Sequence, residues 1–152
     1  MSDMTFQIEI PADNDGFVLL QCPLCGDFFK VRPSDYEDDG VLSLHCPSCG
    51  QVSDNYITED VVELAMAIAQ NYATDLVYDE MKKWERQYNS KDFKFNVGQK
   101  PKHKPENPIK ATIEALTISH LSCCLREAKI KPMLKICGCY CPFCGVKDYE
   151  IE

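Results

Sequence analysis

The sequence predicts an α+β chain in which two small β units, each built on cysteine knuckles, flank one long amphipathic helix. Three observations carry that prediction. Cys22-Pro23-Leu24-Cys25-Gly26, Cys46-Pro47-Ser48-Cys49-Gly50 and Cys141-Pro142-Phe143-Cys144-Gly145 are three Cys-x-x-Cys knuckles, two near one end and one near the other. Short apolar runs of strand length lead into and out of them. Between the ends, residues 58–89 space their apolar side chains at helical intervals.

The chain's 152 residues fit one ordinary domain or two small ones. Its 45% hydrophobic content argues against a disordered chain. No run of about 18 apolar residues is present, so no membrane-spanning helix is expected. Met1-Ser2-Asp3-Met4-Thr5-Phe6 has neither the basic nor the apolar region of a signal peptide, and a cytoplasmic location is expected. In a reducing compartment ten cysteines favour metal over disulfides. A secreted disulfide scaffold is the alternative that the knuckle spacing disfavours.

The charge is unevenly spread. Residues 1–57 hold ten acids and two bases, whereas residues 90–152 hold seven acids and eleven bases. An acidic front repels a nucleic-acid backbone and a basic rear attracts one. The competing reading is that the two halves attract each other within one fold.

Thr5-Phe6-Gln7-Ile8-Glu9-Ile10 alternates polar and apolar residues, the period of a strand. Pro11 to Gly16 is turn chemistry. Phe17-Val18-Leu19-Leu20-Gln21 reads as a strand into the first knuckle, and Phe28-Phe29-Lys30-Val31-Arg32 as a strand out of it. Pro33 to Gly40 is an acidic turn, and Val41-Leu42-Ser43-Leu44 a strand into the second knuckle. Strand, knuckle, strand, turn, strand, knuckle is the layout of a zinc ribbon.

Thr58 is a helix-capping residue type, and Glu59 and Asp60 suit the positive end of the helix dipole. Val61, Leu64, Ala65, Ile68, Tyr72, Leu76, Val77, Met81, Trp84 and Tyr88 then form a drifting stripe. The drift favours a core face over a coiled coil or a surface for a partner helix. Residues 90–110 form a connector, with Phe93-Lys94-Phe95-Asn96-Val97 a candidate short strand. Lys100, Lys102, Lys104 and Lys110 make it basic, and its prolines keep it extended. From Lys100 on, no aromatic residue is interleaved to stack on bases, which favours a solvated loop over a nucleic-acid arm for this tract.

After residue 110 the first ribbon's pattern returns. Cys25 and Cys124 each stand eight steps before a proline, Pro33 and Pro132. Lys30 matches Lys129, Val31 matches Ile130, and Arg32 matches Lys131. Each copy then reaches Cys-Pro-x-Cys-Gly, and the second lacks the acidic turn. This internal repeat predicts two metal sites. The first has Cys22, Cys25, Cys46 and Cys49. The second has Cys124, Cys141 and Cys144, but Leu121 stands where Cys22 does. Its fourth ligand comes from Cys123, His120, Cys139 or Cys137, in that order; Cys123 reaches only if the knuckle is distorted. The alternative is a second copy that lost its metal and buries reduced cysteines as small apolar groups.

Two Cys-x-x-Cys turns complete a tetrahedral all-thiolate zinc site. Such a site is closed, so the expected cofactor, zinc, folds the ribbon and is not catalytic. No His-Glu-x-x-His, phosphate loop or deaminase signature is present. A redox Cys-x-x-Cys occurs singly beside a βαβ pattern, unlike these recurring knuckles. His45, beside Cys46, is a candidate hydrogen-bond donor to a ligand sulfur, and His103 falls in the lysine-proline tract.

The knuckles at Cys22–Cys25 and Cys46–Cys49 resemble zinc ribbons of the transcription factor IIB type, over residues 17–57 with a degenerate echo at 117–149. The whole chain also looks like small bacterial proteins with a ribbon at each end of a helical segment. The resemblance implies metal and fold, with roles in that superfamily spanning transcription machinery, nucleic-acid enzymes and protein docking. The expected organisation is therefore two small zinc-ribbon β units flanking one long amphipathic helix. Residues 1–57 form the N-terminal ribbon, 58–89 the helix, 90–110 the basic connector and 111–152 the degenerate C-terminal ribbon. The expected function is a non-enzymatic, zinc-stabilised adaptor or accessory subunit whose partner is another protein. A nucleic-acid-binding regulator using the connector and Arg126, Lys129, Lys131 and Lys135 is the alternative. A thiol-redox or metal-delivery role for Cys137 and Cys139 is a third class. No membrane partner is expected.

Overall fold

A computed structural model of the chain describes residues 4–109 and 115–149. Lys110, counted in the basic tract, lies outside them. The chain forms two compact units, Met1–Glu59 with Ile109–Glu152, and Asp60–Pro108. One long helix and small antiparallel strand units from both ends of the chain make it α+β.

In the first unit β1 (Val18–Gln21) pairs antiparallel with β2 (Phe28–Val31), from Val18↔Val31 to Gln21↔Phe28. A short helix, α1 (Pro33–Tyr36), follows. From the other end of the chain, β3 (Thr117–Leu121) pairs with β4 (Arg126–Ile130), and a short helix of the same unit (Pro132–Cys137) follows β4. Cys25 to Cys124 is an offset of 99 residues. Adding it to the β1–β2 register gives the β3–β4 register: Val18↔Val31 becomes Thr117↔Ile130, and Gln21↔Phe28 becomes His120↔Glu127. Both short helices open on the aligned prolines, whose fixed φ suits a first helical turn and whose missing N–H costs nothing there. The later knuckles also correspond. The Tyr140↔Lys147 pairing has its counterpart in a single His45↔Val52 bridge.

The copies do not stand apart. β2 pairs antiparallel with β4, giving one four-stranded sheet in the order β1-β2-β4-β3. The paired residues include Lys30↔Lys129, which are equivalents in the repeat. An antiparallel pair that places a residue opposite its own counterpart marks a local two-fold axis, as at an isologous dimer interface. The two ribbons thus pack as a dimer within one chain. Their core is shared: Phe29, Val31, Leu44 and Tyr56 of one copy cluster with Leu121, Ala128, Ile130 and Phe143 of the other. Two ribbons together bury a larger fraction of apolar surface than either can alone.

The second unit holds α2 (Glu59–Tyr88) from Asp60 on; in the first unit the chain ends with α3 (Pro132–Cys137) and a hairpin of β5 (Cys139–Tyr140) and β6 (Lys147–Asp148). α2 departs from the expected core face. Among its described residues only Val61 and Asn71 are buried, and Trp84 is 52% exposed. The connector takes the place of a protein core along this helix. Asn71 exchanges both amide bonds with Lys104, donating to its carbonyl at 2.9 Å and accepting from its N–H at 2.7 Å. Asp75 accepts from Lys100 and His103, and Glu85 and Asn89 accept from the Val97 and Phe95 amides.

Three expected strands are absent. Residues 5–10 alternate correctly but have no ladder partner; the Gln21 amide of β1 already donates to the Tyr56 carbonyl at 3.0 Å. Residues 41–44 are irregular, with the Leu44 carbonyl taken by the Tyr56 hydroxyl at 2.7 Å. Residues 93–97 form no strand because their amides bond to α2 and Asn89 side chains. The expected acidic turn at 33–40 opens as α1.

Candidate metal centres

Two groups of four cysteines converge, Cys22/Cys25/Cys46/Cys49 and Cys123/Cys124/Cys141/Cys144, each with its sulfurs all within 4.8 Å of one another. In the first, Cys22 Sγ lies 3.7 Å from Cys49 Sγ and Cys25 Sγ 3.5 Å from Cys46 Sγ. In the second, Cys144 Sγ lies 3.5 Å from Cys123 Sγ. A tetrahedral ion with bonds of about 2.3 Å to sulfur sets its ligands about 3.8 Å apart. A disulfide would need about 2.0 Å. The sulfur spacings therefore fit ligands around a common ion, and both groups fit a metal.

The knuckles owe this convergence to their backbones. Gly26, Gly50 and Gly145 N–H groups donate to the carbonyls of Cys22, Cys46 and Cys141 at 2.8–2.9 Å, closing each turn. The Cys46 and Cys141 amides donate to Gln51 and Val146 across the turn, again at equivalent positions.

The fourth cysteine of the second group is Cys123, the first of the expected candidates, and it reaches the group from an altered knuckle. The β3–β4 register runs through to Leu121↔Arg126, and Leu125 takes the left-handed conformation of its equivalent Gly26, at φ 52° against 78°. The turn itself differs: the amide-to-carbonyl bond that closes the Cys22–Gly26 knuckle has no counterpart between Leu125 and Leu121, four turn residues separate the paired Leu121 and Arg126, and the thiol sits at the third position instead of the first. Leu121, at the old ligand position, is 1% exposed and joins the core, as Cys22 does. His120 instead pairs with Glu127 at 3.1 Å. Cys139 is the counterpart of Leu44 and is fully buried, so it packs as a small apolar group. Cys137 is exposed at the end of α3. Neither belongs to a metal-type group among the described residues.

Several of these thiols resist ionisation. Burial first, then the hydrogen-bonded neighbours Cys141 and Cys144, push Cys123 up to about 12. Burial and the neighbouring Cys144 push Cys124 up to about 11. Burial raises Cys46 and Cys141 as well. Cys22 and Cys144 are lowered: burial opposes ionisation there, but nearby N–H groups and cysteine hydrogen bonds outweigh it. A divalent cation supplies the compensating charge, and binding it releases protons.

The two centres brace each other across the axis. His45 N–H donates to the Pro142 carbonyl at 2.8 Å, and Tyr140 N–H to the Pro47 carbonyl at 3.0 Å. Each donor precedes a ligand cysteine of one knuckle and bonds to the proline inside the other. Their rings then cover the opposite glycine. A Cβ on Gly145 would stand 2.7 Å from the His45 ring, and one on Gly50 2.8 Å from the Tyr140 ring. His45 Nδ1 is buried with no hydrogen-bond partner among the described residues.

Charge follows the same plan. Asp13 Oδ2 accepts from both axial lysines, Lys129 at 2.7 Å and Lys30 at 3.1 Å. Burial would raise the Asp13 carboxyl, yet the hydrogen bonds from Lys129, Phe17 N–H, Lys30 and Asp15 N–H hold it well below the usual carboxylate range. Arg126 reaches Asp38 at 3.2 Å, Lys131 pairs with Asp27, and Arg32 pairs with Glu127 at 2.7 Å. The acidic and basic halves of the sequence meet within one sheet unit. This is the competing reading of the charge asymmetry, attraction of the halves within one fold; the strand pairing that joins the copies was not foreseen. Comparison with protein-family models, curated proteins and solved structures found no match to the chain.

Proposed function

We propose that this chain is a non-enzymatic, zinc-stabilised double ribbon that docks another protein, as an adaptor or accessory subunit. The observation that carries the reading is the pair of four-cysteine groups. Four thiolates satisfy a tetrahedral zinc ion and leave no position for substrate or water, so the ion's role is structural. Zinc suits the all-sulfur donor set better than magnesium or calcium, which favour oxygen. Thiolate sites of this kind go with a reducing, cytoplasmic setting. The resemblance to transcription factor IIB-type ribbons belongs with the same reading.

Protein is favoured over nucleic acid by where the cations go. Arg126, Lys129 and Lys131 are held by acids of the first ribbon, and Lys100 by Asp75. Cations engaged in this way have less to offer phosphates. A gel-shift assay across a salt series, with duplex DNA and single-stranded RNA, tests the choice. The docking reading expects no shift at physiological salt. A strong shift at low salt, abolished by changing Lys100, Lys102 and Lys104 to alanine, would establish the nucleic-acid regulator instead.

A further inference from the structure

The first ribbon carries an apolar groove. The groove encloses about 730 Å³, within the usual size range of ligand clefts, and is lined by Val18, Leu20, Val31, Tyr36, Leu42 and Tyr56 among others. Leu42 is 96% exposed and Tyr36 57% exposed. The repeat supplies an internal control. At the positions of Val18, Leu20 and Tyr36 the second ribbon has Thr117, Ser119 and Lys135. Those residues sit in the same strand register and the same short helix. The same strand register and short helix therefore accommodate polar residues at these positions, although Leu20 also packs against the core and its counterpart Ser119 is buried.

The charge around the groove indicates what fills it. Asp54 lines it, Glu9 lies between the lining residues Ile8 and Ile10, and Glu37 follows Tyr36. None of these three acids forms an ion pair among the described residues. Residues 1–57 contain just two bases, Lys30 and Arg32, and both are engaged, with Asp13 and Glu127. Asp54 thus places a carboxylate without an ion-pair partner among the aliphatic and aromatic side chains of the groove, while Arg126, the cation beside Tyr36, is already held by Asp35 and Asp38.

We infer that this groove binds a peptide segment of a partner protein in which two or three large apolar residues are flanked by lysine or arginine. The inference rests on the docking reading above and names the chemistry of the partner. Apolar side chains fill the groove, and the flanking cations meet Asp54 and the surplus acids of residues 1–57, speeding association and fixing register more than adding affinity.

The test is selection from a phage-displayed random dodecapeptide library on the metal-loaded full chain, followed by fluorescence anisotropy with the enriched peptide, fluorescein-labelled. The expected peptides pair apolar residues with at least two lysines or arginines. Leu42→Asp, at a site too exposed to unfold the ribbon, should weaken binding about tenfold or more. So should Val18→Thr with Leu20→Ser and Tyr36→Lys, which carries over residues the same scaffold already uses. Affinity should also fall several-fold as salt rises, because the rim charges are exposed. Enrichment of acidic or uncharged apolar peptides would overturn the charge argument. Peptides whose binding ignores both groove variants would remove the groove and leave the docking reading standing. A concentration-dependent dimer that Leu42→Asp dissociates would make a second copy the occupant and overturn the inference. No enriched peptide, together with a salt-sensitive nucleic-acid shift, would end both readings.

Discussion

Replacing Gly145 with alanine should destabilise the ribbon unit far more than the same change at Gly26. Both glycines sit in knuckle turns with left-handed backbones, at φ 76° and 78°. That conformation costs an L-residue about 1–2 kcal/mol, and alanine recovers about 0.4–1 kcal/mol by restricting the unfolded chain. Gly26→Ala, whose new Cβ meets nothing within 4 Å, should therefore cost about 1 kcal/mol. The equivalent Leu125 shows that a side chain can occupy this place in the turn. At Gly145 the Cβ falls 2.7 Å from the His45 ring, and overpacking of that kind adds about 1–3 kcal/mol. The expected total is about 2–4 kcal/mol, read by urea unfolding at fixed free zinc. Adding His45→Ala should recover part of the loss, a coupling of about 1 kcal/mol or more in a double-mutant cycle. Equal costs at Gly26 and Gly145, with additive effects of His45→Ala, would refute the packing of one ribbon's ring on the other's knuckle.

Other consequences follow from the axis, the connector and the spare cysteines. Asp13→Asn should cost about 3–5 kcal/mol at pH 7, towards the lower end because Lys129 keeps Asp15 as a partner. Since the folded carboxyl is held below its unfolded value, its contribution is present above about pH 4 and lost as pH falls through the folded value; the gap between wild type and variant should shrink there in acid unfolding curves. Asn71→Ala should cost about 1–3 kcal/mol and raise hydrogen exchange in residues 95–106 while leaving the sheet protected, because a buried amide loses both bonds to Lys104. Cys139→Ala and Cys137→Ser should each leave metal content unchanged by elemental analysis, the first with a modest loss of stability from its buried site.

The parts legible in the sequence were those that repeat locally. Knuckle spacing placed Cys22, Cys25, Cys46 and Cys49 together, and the steps from Cys25 to Pro33 and from Cys124 to Pro132 foretold matching hairpins and short helices. The long helix was legible from its period, but not its surroundings. Hydrophobic spacing shows which residues share a face; it does not say whether a protein core or an extended connector lies against it. Residues 5–10 have the right alternation for a strand, yet a strand needs a free neighbouring edge, which the bond from Gln21 to Tyr56 helps to occupy. The second centre was legible in part: Cys123 headed the candidates for the place that Leu121 leaves open, but spacing alone could not choose it over His120, Cys139 or Cys137, because the choice depends on how the turn between Leu121 and Arg126 is bent. The joining of the copies was the least legible feature, because β2–β4 pairing connects residues about 100 apart in sequence and leaves no local pattern.

Everything above depends on two closed, four-thiolate centres in one chain. Native mass spectrometry of protein purified under reducing conditions counts the ions directly. The account predicts two zinc ions per chain, falling to one in Cys123→Ser with the first centre still filled. A single ion in the wild-type protein, or two retained in Cys123→Ser, would contradict it.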